Sequence, residues 1–194
     1  MVGGVRGDRR EQLVVAAYRR VAEAGFEGLR LRQVAEDVGI DHSTLHHHFA
    51  TKQDLIGAVA EYTTRQFWTT APQGPEPAAA LREHLQALRR LIEDRPDLFA
   101  VTVELDLRAR RDPAVAAAMA RHEAGWREVL TTVLSEGVAH GSWTVPVDVA
   151  AVAELVIAAV KGARLVPEVA GQVFEQLQAL LIDGAHDHAE GERS

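Results

Sequence analysis

A chain of 194 residues in which 47% of side chains are hydrophobic can bury a core as one compact unit or as two small cooperating ones. It contains no cysteine, which excludes a disulfide framework, a thiolate metal site and a cysteine nucleophile. The net charge of -7 argues against a broad positive field for nucleic acid, yet it is unevenly spread: residues 1–66 hold nine Lys or Arg and nine Asp or Glu, and the remainder carries the whole acidic excess. Few aromatic residues and abundant alanine favour close-packed helices, so the expected fold is all-α, with about nine helices. No apolar run approaches the roughly 20 residues of a membrane span, and the start lacks the apolar core of a signal peptide. The chain therefore reads as soluble and cytoplasmic, with no membrane partner.

In chain order, residues 1–7 read as an arm, with Arg6, Arg9 and Arg10 able to touch phosphate or simply to stay solvated. Asp8 caps a first helix to about Ala24, with Leu13, Ala17, Val21 and Ala24 on its buried face; Gly25 ends it, and Phe26 and Leu29 plug the corner. From near Arg30 comes a second helix, in which Val34, Ala35 and Val38 form an apolar stripe. Gly39 then supplies the left-handed turn and Ile40 seals it. Asp41 caps a third helix whose Leu45, His48 and Phe49 pack back, leaving Ser43, Thr44, His46 and His47 outward. A small residue, a turn glycine and an apolar plug at this spacing are what the close crossing of a helix-turn-helix requires. Thr51 and Asp54 match a capping box for a fourth helix that carries Leu55, Ile56, Val59, Tyr62 and Phe67.

The stretch AGFEGLRLRQVAEDVGIDHSTLHHHFATKQDLIGAV resembles the amino-terminal domain of TetR-family transcriptional regulators over about residues 9–60. Gly25-Phe26, Val34-Ala35, Gly39-Ile40, Leu45 to Phe49, and Lys52 with Leu55-Ile56 carry the match. Two positions depart from the family pattern: Arg30 stands where a capping Ser or Thr is usual, and His46 where tyrosine is. The resemblance implies that His42, Ser43, Thr44 and His47 approach base edges, that His46 and Lys52 hold phosphates, and that Arg32 reaches the major groove, where a guanidinium can bond a guanine edge. His42 and His46, four apart, also have metal-ligand spacing, with Asp41 the nearest third group. A two-histidine surface pair lacks the ligands of a full site, so no metal is assigned, and no cofactor.

A proline-rich break at residues 71–77 separates this head from five further helices: about Pro77 to Glu93, Pro96 to Arg110, Pro113 to His140, Val149 to Leu165 and Glu168 to Gly184, with Asp112 and Asp148 as caps and residues 186–194 as a polar tail. The expected division is a helix-turn-helix DNA-binding domain over 1–50, a linking helix over 51–70, and a ligand-binding and dimerisation domain over 71–194. In the third of these helices Val115, Met119, His122, Trp126, Val129 and Val133 form one inward stripe. Met119, His122 and Trp126, with Phe99, Thr102, Val103 and Asp106 on the preceding helix, are the expected lining of a ligand cavity: apolar walls with few polar anchors, on residues that a plain core would also need. The last two helices carry wide apolar faces, Val152, Leu155, Val156 and Ala159, then Val173, Phe174, Leu177 and Leu181. A second copy would cover such faces in a twofold four-helix bundle, and the family resemblance implies the same pairing.

The function expected is a homodimeric repressor that sets two recognition helices roughly 34 Å apart on palindromic double-stranded DNA and is released by a small-molecule effector. One alternative is a dimeric ligand or metal sensor that does not read sequence. A small-molecule enzyme is the other, but the four serines sit in no nucleophile elbow and no glycine loop cradles phosphate, so no catalytic residue is assigned and the chain reads as a non-enzyme.

Overall fold

The computed structural model describes residues 8–143 and 148–183, and among these all regular structure is helical. Arg6 with the rest of the arm, Gly184 and the tail from His186 lie outside the described residues. The helices are α1 (Arg9–Gly28), α2 (Leu31–Asp37), α3 (His42–His48), α4 (Lys52–Gln66), α5 (Pro77–Asp94), α6 (Pro96–Ala109), α7 (Pro113–Ala139), α8 (Val149–Leu165) and α9 (Ala170–Gln178). Tighter 3-10 turns occupy Phe67–Thr70 and Pro167–Val169, and a wider π turn, Ala179–Asp183, extends α9.

Two compact units result. One gathers the chain up to Gln66 together with Asp97–Ala120; the other gathers Phe67–Pro96 with the residues from Arg121 onward. In space, therefore, α6 and the start of α7 belong with the helix-turn-helix, although in sequence they follow the proline-rich break.

The first unit is built on α1, which packs against α4 and α2, while α2 packs on α3. Its core holds Leu13, Ala17, Val21, Phe26, Leu29, Val34, Ala35, Leu45, Phe49, Leu55, Ile56 and Val59, with Leu98, Val101 and Leu105 of α6. Each large side chain among them contributes about 2 kcal/mol by leaving water. Gly25 (φ 63, ψ 178) breaks α1 where the sequence places its end, and one more turn runs to Gly28. A side chain at Gly25 would meet the carboxylate of Glu104, which accepts the Phe26 N–H at 3.3 Å. Tyr18 donates its hydroxyl to Asp97 at 2.7 Å, so α6 is tied to α1 both at its start and in its middle.

In the second unit α5 packs on α9, and α9 on α8. Leu81, Leu85 and Leu88, Leu130 and Leu134, Val156, Ile157 and Val160, and Phe174 and Leu177 are among its buried side chains. Asp148 caps α8 as expected, accepting the Ala151 N–H at 3.1 Å. Along α7 the buried line differs from the expected stripe. Val115 is buried, but His122, Trp126, Val129 and Val133 are half-buried, and the burial passes to Ala118, Leu130, Leu134 and Gly137. The reason is local: the Trp143 ring lies where a Cβ on Gly137 would be, and the line reaching Gly137 runs through Leu130 and Leu134.

Candidate nucleic-acid interface

The third helix has seven residues, too few to be stable alone, so its geometry is imposed by caps and by its neighbours. Asp41 caps it: one carboxylate oxygen accepts the Thr44 N–H at 2.7 Å and the Ser43 hydroxyl at 2.6 Å, and the other accepts the Thr44 hydroxyl at 3.2 Å. Those bonds, the one from Ser43 first, hold the Asp41 carboxyl down to about 2. Leu45 and Phe49 are buried, and the Arg10 guanidinium lies 4.7 Å from the Phe49 ring centroid. Gly39 (φ 72) makes the left-handed turn between α2 and α3, and Ile40 donates its N–H to the Ala35 carbonyl at 3.0 Å across it.

This scaffold leaves His42, Ser43, His46 and His47 exposed and Thr44 half-exposed, so the structure brings the expected base-contacting residues together on one short surface. Arg32, on the exposed side of α2, pairs with Glu36 at 3.0 Å. His46 Nδ1 lies 3.3 Å from the Ala50 carbonyl, and the rings of His42 and His46 meet edge to face with centroids 4.5 Å apart. Lys52 turns inward. Its ammonium donates to the carbonyls of Leu29 at 2.7 Å and Phe26 at 3.4 Å, where α1 ends, and burial together with the cations of Arg30 and Arg108 lowers its pKa. These bonds use two of the three donors of the ammonium. Thr51 and Asp54 form the expected capping box, with reciprocal bonds of 2.9 and 3.1 Å. Arg30 does not cap α2 with its side chain; its guanidinium donates to the carbonyls of Glu27 and Leu29. Arg9 reaches the Val38 carbonyl at 3.2 Å, and Arg20 binds Asp37 through two short bonds, locking α1 to α2. The sequence did not announce these inward roles for Arg9, Arg10, Arg30 and Lys52, because it does not say which way a long cationic side chain folds.

The residues expected to line a ligand cavity divide. Phe99, Thr102, Val103, Asp106 and Met119 fall in the first unit, and His122 and Trp126 in the second. Thr102 is buried and donates its hydroxyl to the Leu98 carbonyl of its own helix at 2.6 Å. In the second unit, Trp126 donates its indole N–H to Nε2 of buried His84 at 2.9 Å, and His84 Nδ1 bonds the Thr70 carbonyl. Burial lowers the His84 pKa. The His122 ring lies 5.4 Å from Phe67 and 6.2 Å from Trp68, and its Nδ1 is buried with no hydrogen-bond partner. Burial first, then the charges of Arg164 and Lys161, push its pKa down to about 4. His84 was missed although its signal was there: it interrupts the Leu81, Leu85, Leu88 stripe of α5 just as His122 interrupts that of α7.

Of the residues expected at a dimer face, Val156, Phe174, Leu177 and Leu181 are buried within the second unit itself. The reason is that α8 and α9 pack on each other and α9 on α5, which uses one side of each. Val152, Ala159 and Val173 are half-exposed and Leu155 is 52% exposed. Leu165, Val166, Val169 and Leu180 are exposed beside them in sequence.

A glycine-turned pair of helices, the second capped and showing polar side chains outward, is the architecture of a transcription regulator that reads duplex DNA. Comparisons with known proteins agree. The family described as "Bacterial regulatory proteins, tetR family" matches residues 13–59, and that described as "BetI-type transcriptional repressor, C-terminal" matches residues 67–189. The chain belongs to the TetR family of DNA-binding transcriptional regulators. It is 28% identical over 145 residues, 72% of either chain, to the HTH-type transcriptional repressor AcnR of Corynebacterium glutamicum. To the HTH-type transcriptional regulator BetI of Burkholderia ambifaria it is 32% identical over 89 residues, 46% of this chain and 45% of that one. The fold is that of a TetR transcription regulator from Haloarcula marismortui, with a TM-score of 0.80 at 24% identity over 92% of this chain and 96% of the other.

Proposed function

We propose that the protein is a homodimeric repressor that binds a palindromic operator and releases it when a small molecule occupies the second unit. The observation that carries this reading is the surface of α3, where a capped and buried scaffold holds His42, Ser43, His46 and His47 outward. In the reading, Ser43, Thr44, His42 and His47 meet base edges, His46 and the remaining donor of Lys52 meet phosphate, and Arg32 enters the adjoining groove wall. Ser43 and Thr44 exchange their bonds to Asp41 for bonds to DNA. With no excess of positive charge on the head, sequence-independent affinity is low, and specificity depends on these few donors.

Homodimerisation is supported by the apolar positions left uncovered on α8 and in the segment around α9, among them Leu155, Leu165 and Leu180. Effector binding is supported by His122: a buried ring nitrogen without a partner is costly, and a ligand group against the Phe67 and Trp68 rings would satisfy it. The sign of regulation follows AcnR and the BetI-type C-terminal family, both named repressors. The protein acts on cytoplasmic DNA and without catalysis; among the described residues no helix is long and apolar enough to cross a membrane.

The test is selection of duplexes from a randomised pool by the full-length protein, then a salt series on the winner. A palindromic winner bound by one dimer, with a salt slope of a handful of phosphates, is the expected result. A folded protein that enriches no sequence at low salt sinks the reading and leaves a sensor without an operator.

A further inference from the structure

The recognition helix is unusually rich in one side chain. Its sequence, HSTLHHH, has four histidines and no Lys or Arg. His42 and His46 stand one helical turn apart, both exposed, with ring centroids 4.5 Å apart. In His46 the Nδ1 faces the carbonyl oxygen of Ala50 at 3.3 Å. A carbonyl only accepts, so this contact is a hydrogen bond in the tautomer that carries the proton on Nδ1, which leaves the lone pair on Nε2. A histidine that donates one ring N–H to a carbonyl and presents the other nitrogen is arranged as metal-ligating histidines are, because that bond fixes the tautomer and the ring. Among the described residues the His42 ring makes no hydrogen bond and touches only the His46 ring, so it can turn to share an ion.

We propose that His42 and His46 form a site for a divalent transition metal on the DNA-facing surface, and that metal and operator compete for it. Two imidazoles at i and i+4 suit Cu²⁺, Ni²⁺ and Zn²⁺ rather than Mg²⁺ or Ca²⁺, which demand oxygen ligands. Among the described residues no group of three or more His, Asp or Glu is placed to hold a metal, so water completes the coordination and the site is an open, exchanging one. Asp41 is close in sequence, but both its oxygens already serve Ser43 and Thr44. An ion held by the two rings removes the nitrogens that would face bases and phosphate and places a hydrated cation on the helix surface.

The first arm of the test uses the full-length protein without DNA, titrated with Cu²⁺ or Zn²⁺ alone in competition with a chromophoric chelator. One site per chain is expected, with Cu²⁺ tighter than Zn²⁺ and Mg²⁺ without effect. His42→Ala and His46→Ala should each weaken it at least about tenfold with helical content unchanged by circular dichroism, while His47→Ala and a His186→Ala/His188→Ala pair leave it in place. Isotherms that survive the His42→Ala/His46→Ala double substitution, or that vanish with the tail histidines instead, overturn the site. The second arm rests on the DNA reading proposed above: saturating Zn²⁺ should weaken binding of the selected operator about tenfold, reversibly with a chelator. Metal bound at the site with operator affinity unmoved overturns the competition alone.

Discussion

The two units differ in how completely they satisfy their buried polar groups. In the reading head three of the four helix starts are closed by side chains: Asp8 and Asp41 cap α1 and α3, Thr51 and Asp54 bond each other's backbone before α4, and Lys52 covers the carbonyls at the end of α1, while α2 has no side-chain cap. The second unit also caps α8, with Asp148, but buries His122 Nδ1 and Trp143 Nε1 without partners, and it leaves Leu155, Leu165 and Leu180 on its surface where the first unit exposes Leu107. A head that must present a fixed surface gains from complete satisfaction, whereas buried groups without partners and uncovered apolar positions are places where something else can bind. In the proposed regulator, those occupants are an effector and a second copy.

The largest effect that would break this contrast is on assembly. Leu155→Arg with Leu180→Arg, both at exposed positions, should leave each subunit folded but monomeric by sedimentation, and operator affinity should fall about 100-fold, roughly 2.7 kcal/mol. A double variant that stays dimeric removes these residues from the face.

A smaller effect attaches to His122. Its folded pKa is about 4, below the ordinary histidine value of about 6.5, so the unfolded chain binds the extra proton between these values. Stability contributed by keeping the ring neutral is therefore present above about 6.5 and is lost as pH falls towards 4. His122→Leu, which removes the unsatisfied nitrogen, should be neutral or stabilising by up to about 1 kcal/mol at pH 7 and should flatten that acid loss. Destabilisation well beyond 1 kcal/mol in thermal melts would mean that the ring is a packed core element.

The smallest is Asp41→Ala. The Asp41 carboxyl is held at about 2, below its usual range near 3.8, so its contribution is complete above about 4 and disappears as pH falls through 2. The variant should melt slightly earlier at pH 7, and the difference from the parent should close in acid. A constant difference down to pH 2 would show that the charge of Asp41 is not what stabilises α3.

Much of the head was legible because its determinants are local. Gly25 and Gly39, the Asp41 cap and the Thr51–Asp54 box each act within four residues, and the helix bounds from Pro77 to Leu165 follow proline and aspartate signals in the same way. The long cationic side chains were not legible. Lys52 and Arg30 reach either solvent or a backbone carbonyl, and only the packed α1 end offers Lys52 the carbonyls of Phe26 and Leu29.

By itself, then, the sequence determined the all-α class, the helix-turn-helix and the exposed face of α3, since periodicity, caps and turn glycines suffice for these. The tertiary structure decided what depends on residues far apart in the chain: that α6 joins the head through Tyr18–Asp97 and Phe26–Glu104. It also decided that His84, Thr70 and Trp126 form one chain of bonds, and that Val156, Phe174, Leu177 and Leu181 are core where Leu155 is surface. An apolar stripe states that a helix has a side to bury; which neighbour covers it, and how much is left bare, is set only when the helices pack.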